Sequence, residues 1–473
     1  MFLCLPFAMW FFSGIVMMYW GYPEVDAAGR LARAAPLDAS RIRVSPGDAL
    51  AGVGVSGAPR QASIEMLAGR PVYRFRFGRA QAIVYADTGE PLVLPASPEM
   101  ALRIASDWTG QPASAARFEG PLTREDQWTV SGAFRPLRPL MKFSWPDGQE
   151  IYVSASSAQV EQYTTRASRV AAYFGAIPHW LYFTPLRRES QTWSRVVIWS
   201  SGIATFAAIL GIVVGVWIVT PAKRIPYWGM KSWHTILGLF FGVLAATWAF
   251  SGMLSMDPFP LEGDNEVAPA IAGALRGGSL NVKGFAGKAP SEALLQVSSA
   301  LQVKQIELSI FAGEPVLIAR ESPQNSMIVP VSGDSVVQFD GRRILDLAAK
   351  AVEPAHIVEA RLVTDYEAYY LDRKHQRPLP VLFIQLDDPP RSMYYIDPKT
   401  ARIVAGYSGS GSRWNRWLYH GLHSIDLPWL YKHRPAWDIV VLALMLGGGA
   451  LAVTSVILAA QFLRRVGVRG RVR

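Results

Sequence analysis

Seven histidines are the side chains of this 473-residue chain best suited to chemistry: His179, His234, His356, His375, His420, His423 and His433. Five of them lie in or beside long apolar runs. Neutral imidazoles from two segments at the same depth are what hold a haem b between membrane helices, with the potential set by axial ligand and burial. Depth is therefore the criterion. His179 precedes one apolar run, and His420, His423 and His433 precede another, so a pair drawn from His179 and one of these three is expected, with His423 favoured and His433 next. His420 and His423 are three apart and share a helix face. His234 stands at the other end of its run, after Lys231-Ser232-Trp233. A histidine beside Trp and Tyr also serves simply as part of an interfacial belt, and the chain has 16 Trp with which to build one. His356 and His375 fall far from the apolar runs and are expected at the surface.

The remaining composition narrows the chemistry. A single cysteine, Cys4, excludes an intrachain disulfide, a Cys-x-x-Cys-His haem attachment, a cysteine-ligated iron–sulfur cluster and a multi-cysteine zinc site. No His-Glu-x-x-His, Gly-x-Ser-x-Gly, phosphate-binding loop or dinucleotide fingerprint occurs. Haem iron through the same histidines is the one metal expected. Met17, Met18, Met253 and Met256 are further potential axial ligands, and serve equally as packing residues.

Half the residues are apolar, 18% are charged and the mean hydropathy is +0.16, which places part of the chain in lipid. Four runs reach the roughly 20 residues that a helix needs to cross the hydrocarbon core: 2–22, 196–219, 233–256 and 439–463. The net charge of +10 reads as membrane topology rather than nucleic-acid binding, because five arginines crowd residues 464–473 directly after the last run. Lys223, Arg224 and Lys231 sit in the link 220–232 without an acid. Both basic segments are expected in the cytoplasm, where they also meet anionic lipid. Both termini are then inside, and segments 23–195 and 257–438 are exported. The first run is expected to be a retained helix rather than a cleaved signal peptide, since it lacks a basic leader.

Trp10-Phe11-Phe12-Ser13-Gly14 recurs as Trp248-Ala249-Phe250-Ser251-Gly252, and His179-Trp180-Leu181-Tyr182 as Arg416-Trp417-Leu418-Tyr419, at offsets of 238 and 237. Matching offsets this far apart mark an internal duplication in which each half is helix, exported domain, helix. On that offset the counterpart of His234 falls before Met1, so either the true start lies upstream or an inner bis-histidine site has been lost. Gly211, Gly215, Gly238, Gly242 and Gly447-Gly448-Gly449 form small-residue seams, expected to serve helix packing before any porphyrin slot.

Both exported segments read as mixed α and β. Residues 72–77 and 82–86 alternate as strands leading into Asp87-Thr88-Gly89, and a helix follows at 98–108. Similar hairpins are expected at 140–153, 315–337 and 380–404, giving four hairpin-plus-helix modules, two in each half. The units Tyr85-Ala86-Asp87-Thr88-Gly89-Glu90 and Tyr395-Ile396-Asp397-Pro398-Lys399-Thr400 resemble PepSY domains, and their placement between helices carrying Trp-x-Phe-Ser-Gly resembles the PepSY-associated transmembrane family of bacterial inner membranes. The fold class expected is thus four transmembrane helices with two exported α+β PepSY-like domains, internally duplicated. The resemblance implies two different functions. One is a haem-b-containing reductase of ferric siderophores or other ferric chelates, working on the periplasmic side. The other is a non-enzymatic module that binds or inhibits an envelope peptidase, or an accessory subunit of an uptake system. In the first, Arg74, Arg76 and Arg79 form a basic strand that can meet an anionic ligand, although exposed strands are often charged for solubility alone.

Overall fold

A computed structural model describes residues 3–55, 57–78, 80–222, 225–259 and 267–470. Arg79, Lys223, Arg224, Arg471 and Arg473, named above, lie outside the described residues. The first half runs through α1 (Cys4–Met17), α2 (Ala27–Arg33), α3 (Pro46–Ala51), strands β1 (Gln61–Leu67), β2 (Arg70–Phe77) and β3 (Ala80–Tyr85), then α4 (Pro98–Thr109). Strands β4 (Arg117–Leu122), β5 (Leu140–Ser144), β6 (Glu150–Ser154) and β7 (Gln159–Thr164) follow, then α5 (Arg166–Phe174), α6 (Ala176–His179), α7 (Thr184–Arg187) and α8 (Ser190–Ala222). The second half repeats this order as α9 (Met230–Leu254), α10 (Val267–Arg276), α11 (Pro290–Val297), β8 (Gln305–Phe311), β9 (Glu314–Arg320), β10 (Ser326–Pro330) and α12 (Gly341–Ala351). It closes with β11 (Ile357–Val363), β12 (Val381–Leu386), β13 (Met393–Asp397), β14 (Arg402–Tyr407), α13 (Ser410–Asn415), α14 (Pro428–Tyr431) and α15 (Ala436–Gly470).

The duplication extends to backbone detail. The β1–β2 turn carries Ala68 and Gly69 at φ 47° and 78°, and the β8–β9 turn carries Ala312 and Gly313 at φ 52° and 82°. Two successive left-handed residues give the hairpin turn whose twist matches that of its strands, and glycine at the second position adopts it without a Cβ clash. The flanking sequences, Leu67-Ala68-Gly69-Arg70-Pro71-Val72 and Phe311-Ala312-Gly313-Glu314-Pro315-Val316, are a third repeat pair, at an offset of 244.

Three antiparallel sheets result. Two have four strands, β4-β5-β6-β7 and β11-β12-β13-β14, one from each half. The third has six, in the order β10-β9-β8-β1-β2-β3, so the two long segments do not close separate domains at 23–195 and 257–438 but share a sheet through β1 and β8. In that ladder Ser63 lies opposite Glu307 and Ile64 opposite Ile306. One face of the shared sheet carries a core drawn from both halves, with Ile64, Tyr73 and Phe75 beside Ile306, Leu308 and Leu317, and α3 and α11 covering it. The reason for the merger is edge satisfaction: a three-stranded meander has an unpaired edge at β1, and its duplicate supplies a matching one.

Among the described residues three helices are long and apolar enough to cross a membrane: Ser190–Thr220, Met230–Leu254 and Ala436–Arg465. They mark the chain as a membrane protein. On α8, Phe206, Val213 and Trp217 are exposed, an apolar surface that lipid rather than water accommodates. The first run is shorter than its sequence suggests. Its helix ends at Met17 because Gly21 and Pro23 follow and Tyr22 is drawn away onto the rings of Trp128, Trp180 and Tyr182. At 14 residues, roughly 21 Å, α1 covers less than a full hydrocarbon core. It packs on α15, where Phe11 rests against Gly448, and α15 also packs on α9, where Phe241 rests against Gly447. The glycine run of α15 is thus a helix-packing seam on two sides.

Candidate functional site

The histidines that the tertiary structure brings together are His179 and His423. Their rings lie 6.0 Å apart between centroids, at an interplanar angle of 69°. His179 is the last residue of α6, where Gly175 breaks the helix after α5 and turns the chain over α1. His423 follows a π-helical turn at Arg416–Gly421, a local widening and underwinding of the helix of the kind found at functional sites. Each imidazole is anchored in the same way by the opposite end of its own half. Nδ1 of His179 is 3.1 Å from Ser13 Oγ and 3.2 Å from the Trp10 carbonyl. Nδ1 of His423 is 3.0 Å from Ser251 Oγ. Ser13 and Ser251 each donate to the carbonyl three residues earlier, of Trp10 and Trp248, so each hydroxyl is left to accept from the imidazole N–H. That fixes the Nδ1–H tautomer. Among the described residues neither Nε2 has a hydrogen-bond partner, and an unprotonated Nε2 is the metal-binding form.

The glycine of Trp-x-Phe-Ser-Gly completes the arrangement. A Cβ on Gly14 would stand 3.4 Å from Cε1 of His179 and 2.9 Å from Cε of Met445, and one on Gly252 would stand 3.6 Å from Cε1 of His423. The motif therefore supplies, in each half, a hydroxyl to orient an imidazole and a bare backbone to admit it. Burial holds both imidazoles below the usual histidine range. Both are therefore neutral, as ligation requires.

The two rings line a cavity of about 390 Å³, within the range of small-molecule sites. Its wall is mostly aromatic and sulfur-bearing: Phe7, Trp10, Phe11, Trp248, Met17 and Met445. Arg373 is a cation on the same wall, already paired with Asp426 through Nε at 3.2 Å and Nη2 at 2.7 Å. Two imidazoles that share one metal ion at bond lengths of about 2 Å hold their ring centroids about 6 Å apart, which matches the observed spacing. The residues fit a haem in donor type, spacing and apolar surroundings.

The other candidates are placed elsewhere. His433 is exposed, with Nδ1 donating to the Trp429 carbonyl at 2.6 Å. His420 lies beside Tyr419, ring centroids 4.8 Å apart and planes tilted by 56°, and does not line the cavity, whereas Tyr419 stacks on His423. His356 and His375 are exposed, the former 3.2 Å from Asp387. His234 lines a second cavity of about 380 Å³ among α1, α8, α9 and α15, with Nδ1 3.0 Å from Thr454 Oγ1. Gly211, Gly215, Gly238 and Gly242 line that cavity too, and no second histidine does. Of the four methionines singled out from the sequence, Met17, Met18 and Met256 reach the first cavity and Met253 does not; Met445 joins them there.

Sequence reasoning treated Ser13 and Ser251 only as part of a repeat. Their role was detectable, since a polar residue conspicuous in an otherwise apolar helix marks a functional contact. Arg74 differs from its reading as part of an exposed basic strand. It is 2% exposed, 2.9 Å from Glu65, and donates to the Ser157 carbonyl at 2.6 Å, because the four-stranded sheet of the first half covers that face. A comparison with protein-family models finds no match, and a search of curated proteins returns none similar enough to be a relative.

Proposed function

We propose that this is a PepSY-associated protein of the bacterial inner membrane, with four transmembrane helices, that binds haem b between His179 and His423 and passes electrons to a ferric siderophore or other ferric chelate on the periplasmic side. In this reading α1 completes the bundle, both termini are cytoplasmic, and the two sheet-bearing segments are periplasmic. The observation that carries it is the 6.0 Å separation of two half-buried imidazoles whose Nδ1 atoms are both committed to a serine of the same repeated motif. Haem would supply one-electron transfer. The protein's own residues do the rest. Ser13 and Ser251 orient the ligands, and Trp10, Trp248 and Phe11 exclude water.

The test is an oxidised and dithionite-reduced absorption spectrum of the detergent-purified protein, with a pyridine haemochrome count. The expected result is a low-spin b-type signal near one haem per chain, oxidised on addition of a ferric siderophore. Protein that contains no haem after expression with ample haem supply would overturn the redox reading and leave the peptidase-binding or uptake-accessory role.

A further inference from the structure

On the face of the six-stranded sheet opposite the core shared by both halves, the outer ends are apolar and covered, with Val72 and Ile83 in one flanking core and Phe311 and Val316 in another. The stretch around the β1–β8 junction is polar and floors a cavity of about 740 Å³. α2, the end of α4 and the first residues of β7 and β14 wall it. Ser63 and Glu307, which face each other in the β1–β8 ladder, are 244 residues apart and are therefore each other's counterparts. The cavity thus straddles the pseudo-twofold axis that relates the two halves, and both halves supply its side chains.

Seven cationic side chains line it against three acids. Arg30 is taken up by Glu161 at 2.6 Å, and Glu65 pairs with Arg74. Glu307 is shared between Arg320 and Arg402. Among the described residues three cations have only neutral partners: Arg33 on the Trp108 carbonyl at 3.1 Å, Arg76 on Gln159 at 3.2 Å, and Lys304 on the Ala32 carbonyl at 2.8 Å. Arg74 is buried, yet among the described residues its Nη2 has no hydrogen-bond partner. A buried guanidinium N–H without an acceptor is costly, and an incoming oxyanion relieves that cost. Burial and the neighbouring Arg74 cation hold Arg76 below the usual guanidinium range. Asp107, the wall acid without a cation partner among the described residues, is pushed up by burial, which weakens its opposition to an anion.

We propose that this groove binds a compact polyanion, a molecule with two or more carboxylate or phosphate groups, with Arg74 as its buried anchor and Arg33, Arg76 and Lys304 as the surrounding cations. The size suits a metabolite-sized ligand, and the fork geometry of arginine suits both oxyanion types. This site is separate from the imidazole cavity and needs no haem.

The full-length protein in detergent, haem-free and haem-loaded, is titrated calorimetrically with citrate and with pyrophosphate at matched ionic strength. Binding of either, weakening as salt rises, is expected in both forms. Citrate alone would assign carboxylates, and pyrophosphate alone would assign phosphates. The double variant Arg76→Gln/Lys304→Gln should lose about tenfold or more in affinity, while Arg342→Gln, exposed on α12 outside the cavity, should bind as the parent does. No binding of either probe at about 10 mM, or equal affinity in the double variant, overturns the proposal, whatever the haem spectrum shows.

Discussion

At the scale of single residues, the two imidazoles are set apart from the other five by their meeting in one cavity; His234 is also held at Nδ1 by a hydroxyl, that of Thr454, but has no second histidine beside it among the described residues. His179→Ala or His423→Ala should abolish the low-spin haem spectrum, whereas His420→Ala and His433→Ala should leave it unchanged; the reduced-minus-oxidised difference spectrum distinguishes these. Ser251→Ala keeps the ligand but releases its tautomer. Loss of an orienting partner of this kind typically weakens metal binding by about 10–100-fold, so haem should wash out of this variant in dialysis against a haem acceptor while the parent retains it. Glu65 makes a different prediction. Burial alone would raise its carboxyl, but Arg74 and the amides of Gln305 and Gln159 outweigh that and hold it below the usual range. A carboxyl depressed in the folded state contributes stability above its ordinary value of 4.5, and that contribution is lost as pH falls further. Thermal melts of the parent and Glu65→Gln should therefore differ at neutral pH and converge under acid conditions. A constant gap would remove Glu65 from the pH-sensitive set.

At the scale of elements, α15 is the post on which α1 and α9 lean, and its glycines set how close they come. A side chain on Gly448 would collide with the ring of Phe11, and one on Gly447 with Phe241. Overpacking of this kind costs about 1–3 kcal/mol, so Gly448→Leu should lower the melting temperature of the detergent-solubilised protein by several degrees. Because Phe11 also lines the imidazole cavity, the same variant should perturb the haem spectrum. A normal melt and spectrum would mean that α1 is free to shift away from α15. The π-turn before His423 acts at this scale as well. It lets one continuous helical stretch deliver in the second half what α5, Gly175 and α6 deliver in the first.

At the scale of the molecule, neither half is complete. The core of the six-stranded sheet takes residues from both halves, and the two imidazoles of the candidate site come one from each. Residues 1–225 and 226–473 expressed separately should each be degraded or aggregate, because an unpaired β1 or β8 edge and half a core are left exposed. Co-expression should restore a complex that copurifies. A stable first half on its own would show that the sheet is not obligatory. The same interdependence puts the polar groove on the axis between the halves, where no single repeat could form it.

The sequence by itself carried the apolar runs, the duplication, the hairpins around Asp87-Thr88-Gly89 and Pro146-Asp147-Gly148, and a short set of histidines, because these depend on local periodicity and on turn chemistry. It placed His423 ahead of its neighbours but aligned His179 with Arg416 through the shared Trp-Leu-Tyr at an offset of 237, whereas the histidines that meet in space are 244 apart, the offset of the two hairpin turns. Only the tertiary structure decided that Ser13 and Ser251 hold the imidazoles, that Arg74 is buried against Glu65, and that β1 pairs with β8. Each of these joins residues far apart in the chain. Such pairings are selected by which buried polar groups and open strand edges can satisfy one another in the folded molecule, and no window of sequence contains both partners.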